Sequence, residues 1–428
     1  MKDILIKNGR VVDPASKRDE QLDILVKDGK IVQLGKNLKP NGAETIDAKG
    51  KIVAPAFVDM HTHLRQPGRE DEETFLTASR AAIKGGFGTL LAMPNTTPPC
   101  DNQGVAEYVI AEARKTALVN IYPAACVTKA QGGRELTEIG ELAKAGVLAI
   151  TDDGRPVFSV QIMRRALEYS KIFGMLLIDH CEDLELSGGV ANEGYTATVL
   201  GLKGVPKEAE SAIVARDLQL AKLTGGKLHI AHVSTAESVE FIRGAKRDKL
   251  NVTCEVTPHH FTLTDEAVLG YNTLAKVNPP LRSKEDIEAL KSGLKDKTID
   301  VIATDHAPHL DVEKDTEFDT ASFGMVGLET ALALSVMELV DKKVLSVGEL
   351  IEKLSANPAR ILGLSAKGKL SEGADADIVV IDTEKHWKLD SLESKSKNTP
   401  FIGWKLKGKA TDLVVGGKIL MRNEEILA

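Results

Sequence analysis

The stretch Ile52-Val-Ala-Pro-Ala-Phe-Val-Asp-Met-His-Thr-His-Leu-Arg65 joins an apolar run to a polar cluster. In an extended strand, side chains at i, i+2 and i+4 lie on one face, so His61, His63 and Arg65 would point the same way. Two imidazoles on one strand face can bind a metal ion, and a neighbouring guanidinium can bind an anion. A single His-x-His motif more often marks an ordinary strand end, so its meaning depends on whether similar clusters recur.

Seven further apolar runs follow this strand, and amphipathic stretches separate them. The eight runs cover residues 57–60, 89–93, 120–126, 147–151, 175–179, 228–231, 252–256 and 300–304. The stretches between them have helical periodicity, for example at 72–84, 105–116, 161–172 and 209–223. Strands that alternate with helices indicate βαβ units and a parallel sheet, and eight units favour an α/β fold of the (β/α)8 TIM-barrel type. An open, doubly wound sheet is the alternative, but no Gly-x-Gly-x-x-Gly motif follows the first strand.

Both chain ends have the pattern of short strands and tight turns. Asn-Gly at 8–9 and Asp-Gly at 28–29 are strong hairpin signals, and the runs 377–382 and 412–420 resemble strands. Two separate terminal appendages would fit this pattern, but we expect one small β-domain that uses both ends. The expected segments are 1–53 and 366–428 for the β-domain and 54–365 for the barrel.

The composition suits a large globular chain of 428 residues, with 43% hydrophobic residues and a net charge of −7. Because the net charge is negative and basic residues are not in excess, we expect neither nucleic acid nor an anionic membrane as a partner. The opening residues show no secretory pattern, and no apolar run is long enough to span a bilayer. The four cysteines, at 100, 126, 181 and 254, are scattered as reduced thiols usually are. We therefore expect a cytoplasmic protein.

Polar clusters stand at the carboxyl ends of six predicted strands, where a TIM barrel places its chemistry. Beyond the first, they are Met93-Pro-Asn95, Thr151-Asp-Asp153-Gly154, Asp179-His-Cys-Glu182, Ala231-His232-Val233 and Thr304-Asp305-His-Ala-Pro-His309. Side chains of metal-binding type recur at five of these ends. Each cluster alone is a weak signal, but their joint position predicts a metal hydrolase.

These motifs resemble those of the amidohydrolase superfamily, and within it the dihydroorotases, over essentially the whole chain. The most specific strings are His61-Thr-His63-Leu-Arg65, Met93-Pro-Asn-Thr96, Asp152-Asp-Gly-Arg-Pro156, Asp305-His-Ala-Pro-His309 and Gly324-Met-Val-Gly-Leu-Glu329. The resemblance implies a barrel of the amidohydrolase type. It also implies zinc-dependent, reversible cyclisation of N-carbamoyl-L-aspartate to L-dihydroorotate in pyrimidine biosynthesis.

The resemblance further implies a two-zinc site held by six side chains: His61, His63, Asp153, His180, His232 and Asp305. Asp153 would bridge the two ions, and Asp305 would also be the catalytic proton carrier. Many superfamily members bridge their metals with a carbamylated lysine, but no lysine stands at the end of the fourth predicted strand. An aspartate must then take this role, or the site holds one metal ion. The choice of Asp153 over Asp152 rests on the family match.

The substrate-binding residues implied by the resemblance come from several loops: Arg65, Asn95, Asn278, His309, Phe323 and Gly324. Arg65, Asn95 and His309 would bind the substrate's carboxylate. Asn278 would contact the ring, and the backbone of Phe323 and Gly324 would close over it. The charged segment 310–323 has no apolar periodicity, and we expect it to be a mobile lid.

The other histidines have simpler interpretations. We expect His229 to face away from the site on its strand, and His259 and His260 to support the site. We expect His306 to face away or to support the site, and His386 to be solvated. Cys181 adjoins His180; it is either a buried small residue or a thiol that can occupy an open metal position.

Three competing functions remain at this stage. The first is a dihydroorotase, which we expect to be a homo-oligomer and to have aspartate carbamoyltransferase as a possible partner. The second is another cyclic amidase: a hydantoinase, a dihydropyrimidinase or an allantoinase. Arg65, Asn95 and His309 favour the first, because they suit an acidic substrate. The third is a non-catalytic scaffold subunit, which would usually have lost metal ligands.

Overall fold

The structure is a computed structural model that describes residues 2–39 and 42–427. In these ranges the strands are β1 (Ile4–Asp13), β2 (Arg18–Lys27), β3 (Lys30–Gly35), β4 (Glu44–Asp47), β5 (Ile52–Pro55), β6 (Phe57–Thr62), β7 (Phe87–Ala92), β8 (Asn120–Ala125), β9 (Ala149–Ile150), β10 (Leu176–Asp179), β11 (Ala191–Asn192), β12 (Gly204–Val205), β13 (Leu228–Ile230), β14 (Val252–Val256), β15 (Val301–Ile302), β16 (Ile378–Lys388), β17 (Lys405–Val415), β18 (Lys418–Arg422) and β19 (Glu425–Ile426).

The α-helices of the same ranges are α1 (Phe75–Gly85), α2 (Gln103–Thr116), α3 (Ile139–Ala145), α4 (Val160–Ile172), α5 (Tyr195–Leu200), α6 (Glu208–Thr224), α7 (Ala236–Arg247), α8 (Lys284–Lys295), α9 (Asp311–Lys314), α10 (Ala331–Ser335), α11 (Val347–Ile351) and α12 (Asn357–Ile361). Short 3-10 turns cover Pro14–Ser16, Lys129–Gln131, Asp265–Val268 and Thr273–Ala275. Two π-helical segments cover Val336–Val340 and Glu352–Ala356. None of the described helices has the length and apolar composition needed to cross a membrane.

Eight parallel strands form the barrel in chain order: β6, β7, β8, β9, β10, β13, β14 and β15. Nearly all their residues are buried, as expected for parallel strands covered on both faces. The first and last strands meet at the carboxyl end, where Thr62 bridges His306 and the His63 N–H donates to the His306 carbonyl at 2.8 Å. Asp59 joins the same two strands, because its carboxylate accepts from the Thr304 N–H and hydroxyl. The predicted barrel is confirmed, and the open-sheet alternative is wrong.

Local sequence signals set the limits of the helices around the barrel. Helix α1 begins after Thr74, whose side chain accepts from the Thr77 N–H in a capping box, and ends at Gly86 with φ 85°. Helix α8 begins with a second capping box, formed by Ser283 and Asp286. Because these signals are encoded locally, the helices predicted at 72–84 and 105–116 lie close to α1 and α2.

Strands from both chain ends form a single nine-stranded sheet with the order β19-β18-β17-β16-β5-β1-β2-β3, and β4 pairs with β1. Strand β16 runs antiparallel to β5, and β5 runs parallel to β1. Only Ala56 separates β5 from the first barrel strand β6, so the sheet is tied directly to the barrel. The expectation of one β-structure from both ends is confirmed, and that of two appendages is wrong.

Candidate active site

Six side chains from five strand ends meet at the carboxyl end of the barrel: His61, His63, Asp153, His180, His232 and Asp305. Asp153 lies at their centre. Its Oδ2 atom is 3.1 Å from His61 Nε2 and 3.3 Å from His63 Nε2. Its Oδ1 atom is 3.5 Å from His232 Nε2 and 3.7 Å from His180 Nδ1. One carboxylate therefore faces two pairs of imidazoles, one pair through each oxygen.

Asp305 completes the cluster on the side of the first histidine pair. Its Oδ1 atom is 3.2 Å from His63 Nε2 and 3.6 Å from His61 Nε2. On the other side, His180 Nδ1 is 2.9 Å from His232 Nε2. All these side chains are buried. Within so short a span, imidazole nitrogens and carboxylate oxygens form the donor set that a transition-metal ion prefers.

Two buried polar atoms in this cluster make no hydrogen bond among the described residues: His61 Nε2 and Asp153 Oδ1. Buried polar groups without a partner are costly, so each atom needs a ligand. A cation between the imidazoles and carboxylates would satisfy both. Ligand atoms of His61, His63 and Asp305 lie within 4.8 Å of one another, as do those of His61, Asp153 and His232. The residues therefore fit a metal ion in either of these two sets, and His61 belongs to both.

The charges of the cluster also favour a cation. Burial alone would raise the pKa of Asp305, but the His61 and His63 rings outweigh it and lower the pKa of this carboxyl group. Burial likewise opposes charge on Asp153, yet the pKa of its carboxyl group lies well below the ordinary value because of His61, His180 and His232. Both carboxylates are therefore ionised at neutral pH and available as ligands.

Three site residues have a left-handed backbone: Arg65 with φ 63°, His232 with φ 28° and Asp305 with φ 48°. Non-glycine residues rarely adopt these angles, and such strain concentrates at functional sites. Each of the three directly follows or lies near the end of a barrel strand. The backbone thus turns sharply where it presents the side chains.

Outer partners fix the orientation of the histidine rings. His61 Nδ1 lies 2.6 Å from Glu255 Oε1, and His63 Nδ1 lies 2.8 Å from Asn95 Oδ1. Because these contacts place the ring proton on Nδ1, Nε2 remains free to face the centre of the cluster. His180 is turned the other way, since its Nε2 contacts Glu182 Oε2 at 3.1 Å and its Nδ1 faces the cluster.

Glu255 and Glu182 were not identified from the sequence as parts of the site. Glu255 is fully buried on β14, and its second oxygen contacts His229 Nε2 at 3.1 Å. A charged residue inside the apolar run at 252–256 was a usable signal, because such a residue rarely occurs there without a polar partner. Glu182 stood in the string beside His180 but received no role.

A cavity of about 210 Å³ opens onto the cluster. It is lined by all six residues expected to bind the substrate: Arg65, Asn95, Asn278, His309, Phe323 and Gly324. Of the metal-binding candidates, His63, Asp153, His180, His232 and Asp305 also line it. The two groups of candidates therefore share one space.

Arg65 is fixed in this cavity from two directions. Its Nε donates to the Pro308 carbonyl at 3.0 Å and pairs with the buried carboxylate of Glu72 at 3.1 Å. Its Nη2 atom lies 3.3 Å from His309 Nε2, and the other ring nitrogen of His309 contacts Glu72 at 3.2 Å. Glu72, which sequence reasoning missed, thus contacts two of the three predicted carboxylate-binding side chains, Arg65 and His309.

Asn278 and the end of the charged segment also border the cavity. Asn278 Nδ2 donates to Glu182 Oε1 at 3.2 Å. His309 Nε2 lies 2.7 Å from the Phe323 carbonyl oxygen, so the segment contacts the predicted clamp. Within the segment, α9 is a short helix, and Lys314 and Phe318 are buried.

Asp152 and Cys181 point away from the cluster. The Asp152 carboxylate accepts from the Thr128 N–H at 3.0 Å and from its hydroxyl at 2.5 Å. The Cys181 sulfur lies 3.6 Å from carboxylate oxygens of both Asp179 and Asp217. The arrangement supports a capping role for Asp152 and places the Cys181 thiol in a separate group with Asp179 and Asp217, apart from the six clustered side chains.

The remaining histidines lie outside the six-residue cluster. His229 contacts Thr253 and Glu255, and His306 contacts Glu73 and accepts from the Gly327 N–H, so neither ring enters the cavity. His260 lies against the Pro279 carbonyl, whereas the Nε2 of buried His259 makes no hydrogen bond among the described residues. His386 is exposed on β16.

Two family models match the chain: a dihydro-orotase-like model at residues 50–238 and an amidohydrolase family model at residues 321–420. The dihydroorotase of Citrifermentans bemidjiense is 52% identical over 97% of this chain and 99% of its own length. The dihydroorotase of Pelotomaculum thermopropionicum is 52% identical over 99% of both chains. The similarity therefore spans barrel and terminal sheet alike.

Solved structures of related fold include the L-hydantoinase (dihydropyrimidinase) from Arthrobacter aurescens. It superimposes with a TM-score of 0.90 at 27% identity, over 100% of this chain and 98% of its own. The dihydropyrimidinase from Brevibacillus agri gives a TM-score of 0.87 at 24% identity, which shows the fold alone.

Proposed function

The chain belongs to the dihydroorotase family of cyclic amide hydrolases, and from this premise we propose how its own residues interconvert L-dihydroorotate and N-carbamoyl-L-aspartate in pyrimidine biosynthesis. One observation carries the proposal. Asp153 lies between two histidine pairs in a cavity that Arg65 and His309 also line. An acid-binding group and a metal-type cluster thus share one cavity.

We assign two zinc ions to the cluster. His61, His63 and Asp305 would hold one, His180 and His232 the other, and Asp153 would bridge them. Two atoms without a hydrogen-bond partner among the described residues support this assignment. His61 Nε2 lies near Asp153 Oδ2, whereas Asp153 Oδ1 faces His180 and His232. Zinc, when bound there, would supply an activated water and an electrophile for the ring carbonyl.

Asp305 is the residue assigned to proton transfer. Its carboxylate is ionised at the start, so it can accept the proton of the attacking water. When the ring C–N bond breaks, it returns that proton to the departing nitrogen. The left-handed backbone at Asp305 and the 3.2 Å approach of His63 Nε2 hold the carboxylate at the cavity.

Recognition of the acid falls to Arg65, Asn95 and His309. A guanidinium offers a planar fork that matches a carboxylate, which an ammonium group does not. Glu72 and the Pro308 carbonyl hold the Arg65 fork in place before the substrate arrives. Asn278 and the backbone of Phe323 and Gly324, which line the same cavity, would contact the ring.

The setting of the reaction follows from the same premise. We propose that the chain works in the cytoplasm as a homo-oligomer on a small acidic substrate. Aspartate carbamoyltransferase, which makes N-carbamoyl-L-aspartate, is the partner protein we propose to test. The net charge of −7 fits a chain that does not bind nucleic acid.

The deciding experiment measures hydrolysis of L-dihydroorotate, hydantoin and dihydrouracil by the purified chain, with zinc quantified in the same sample. We expect turnover of dihydroorotate alone and about two zinc ions per chain. Equal turnover of the neutral rings would contradict acid recognition and favour the hydantoinase alternative. Zinc without any turnover would call for addition of aspartate carbamoyltransferase, and continued inactivity would favour the scaffold alternative.

A further inference from the structure

Lys314 is a buried lysine whose ammonium group, among the described residues, donates to three backbone carbonyl oxygens and to no side chain. Its exposed fraction is 3%, although it lies in the charged segment 310–323. The Nζ atom donates to Ser322 O at 2.6 Å, Gly324 O at 2.9 Å and Lys276 O at 3.3 Å. No carboxylate forms an ion pair with Lys314 among the described residues. Burying an ammonium group without a counter-ion costs free energy. The buried position of Lys314 therefore needs an explanation.

Lys276 acts on the same segment from the opposite loop. Its Nζ donates to Phe318 O at 2.6 Å and Asp319 O at 3.1 Å, and it lies 4.3 Å from the Phe323 ring centroid. Its own carbonyl accepts from the Gly324 N–H at 2.9 Å. Two ammonium groups therefore tie the segment to the loop that continues to Asn278 in the cavity wall.

The hydrogen bonds of Lys314 fix the 322–323 peptide group before Phe323 and the 324–325 peptide group after Gly324. In a trans peptide the N–H points opposite to the carbonyl. Since Ser322 O points at Lys314, the Phe323 N–H points away from it, and this N–H donates no hydrogen bond among the described residues. Phe323 lines the cavity, so a backbone donor is available there for an anionic group.

We propose that Lys314 is a positioning residue for the acidic substrate: it holds the Ser322–Gly324 backbone so that the Phe323 N–H faces the substrate. Its charge also adds positive potential behind that wall without touching the ligand. The inference rests on the proposed function, because it presumes an anionic substrate in this cavity. By this inference, the segment 310–323 helps to recognise an acidic substrate although the segment itself is rich in acidic residues.

The test compares Lys314→Met with a matched control, Lys342→Met, in the metal-loaded full chain. Lys342 is 56% exposed and pairs with Glu338, away from the cavity. For Lys314→Met we expect KM for L-dihydroorotate to rise roughly 10–100-fold, as for loss of a charged hydrogen-bonding group. We expect kcat to change less than about threefold, because no reacting group is altered. Zinc content should match the parent, and Lys342→Met should match it throughout.

A second readout needs no turnover. A protease that cleaves after glutamate has a site at Glu317, inside the segment and unaltered by the substitution. Cleavage there should be faster in Lys314→Met than in the parent or in Lys342→Met. If Lys314→Met does not fold, Lys276→Met removes the other ammonium group and should give the same direction of change in KM and in cleavage.

A third readout is chemical rescue. Lys314→Ala leaves a space that ethylammonium can fill, and we expect this amine to lower KM again while tetramethylammonium at equal ionic strength does not. An unchanged KM in Lys314→Met, with an active parent, would overturn this inference alone. A proportional loss of kcat, zinc and folded protein would also overturn it in favour of a purely structural lysine. A parent that does not turn over dihydroorotate would instead overturn the proposed function.

Discussion

Asp153 and Asp152 are neighbours of the same residue type, yet they have different surroundings. Asp153 faces four imidazoles, whereas Asp152 is bound by the backbone and hydroxyl of Thr128. The sequence string alone does not separate them, because strand parity becomes unreliable where a strand ends. The strand β9 is only two residues long, and the chain turns soon after it. This turn gives the two aspartates their different surroundings.

The first prediction separates these two aspartates. Asp153→Asn should lower zinc content and kcat by at least about 100-fold, since even outer partners of metal ligands contribute roughly 10–100-fold. Asp152→Asn should keep zinc and lower the free energy of unfolding by about 1–3 kcal/mol, because it weakens a buried charged hydrogen bond. Metal analysis, kcat and denaturant titration measure these effects. Metal loss in Asp152→Asn alone would reverse the assignment.

The second prediction concerns the acid clamp. Arg65→Lys should raise KM for L-dihydroorotate roughly 10–100-fold, because a lysine cannot reproduce the planar fork held by Glu72 and the Pro308 carbonyl. Arg164→Lys is the matched control: Arg164 is 48% exposed on α4, pairs with Glu168, and does not line the cavity. Steady-state kinetics on both variants would show the contrast. Similar KM values for the two variants would remove Arg65 from the clamp.

Among single residues, the sequence identified the candidates that lie at strand ends. His180 and His232 follow β10 and β13, so their meeting point follows from barrel topology. Glu255 and Lys314 could not be found in this way, because their partners are distant in the chain. Glu255 reaches His61 across the barrel, and Lys314 binds carbonyl groups of two loops.

At the scale of elements, the eight apolar runs correspond to the eight barrel strands. The exact ends differ: the run at 300–304 contains the two-residue strand β15, and that at 147–151 contains β9. Apolar runs indicate which residues are buried, whereas the ends of a strand depend on where its backbone hydrogen bonding stops. The expectation that the segment 310–323 is a mobile lid remains a prediction. The buried Lys314 of this segment donates to Ser322 O and Gly324 O, and these hydrogen bonds would hold the lid closed.

The third prediction follows from two buried lysines, Lys314 of this segment and Lys276 of the loop that contacts it. Burial lowers the pKa of Lys314 to about 7 and that of Lys276 to about 8. Each ammonium is present below its pKa and is lost as the pH rises through it, and a neutral amine has one donor fewer for the carbonyl oxygens. KM of the parent should therefore rise between about pH 7 and 9, and this rise should be smaller in Lys314→Met. A pH profile of KM for the two proteins tests this, and identical profiles would contradict it.

The fourth prediction concerns the junction of α1 with the end of the barrel. A Cβ atom on Gly85 would lie 2.2 Å from the Leu328 carbonyl oxygen, so Gly85→Ala should lower the free energy of unfolding by about 1–3 kcal/mol. Gly244→Ala in α7 is the control, because its nearest neighbour is the flexible Arg247 side chain at 3.8 Å. That change should stabilise the chain by about 0.5–1 kcal/mol. Denaturant or thermal unfolding measures both, and equal effects would contradict the steric argument.

At the scale of the whole molecule, the two chain ends are parts of one sheet. Hairpin signals predicted strands at both ends, but the partner of each strand could not be deduced. Pairing of β5 with β16 joins residues more than 300 positions apart, and nothing local encodes it. We propose the boundaries 1–53, 54–365 and 366–428 as units of this architecture.

The fifth prediction tests that architecture by truncation. A chain ending at residue 365 would leave β5 without its partner β16 and expose the core around Val53, which packs against β16 in the full chain. We expect insoluble protein, because an apolar strand edge is then open to aggregation. Co-expression with a fragment of residues 366–428 should restore solubility and zinc binding. A soluble, zinc-loaded 1–365 chain would show that the barrel is independent of the sheet.

The pairing of β5 with β16 also constrains how the chain is made. The ribosome delivers Ile52–Pro55 early, but Ile378 leaves it about 320 residues later. At roughly 5–20 residues per second, the first of these strands waits on the order of 15–65 s for its partner. During that time a nascent chain has an unpaired apolar edge next to its first barrel strand. Each newly made molecule therefore passes through a period in which this edge has no β16 partner within its own chain.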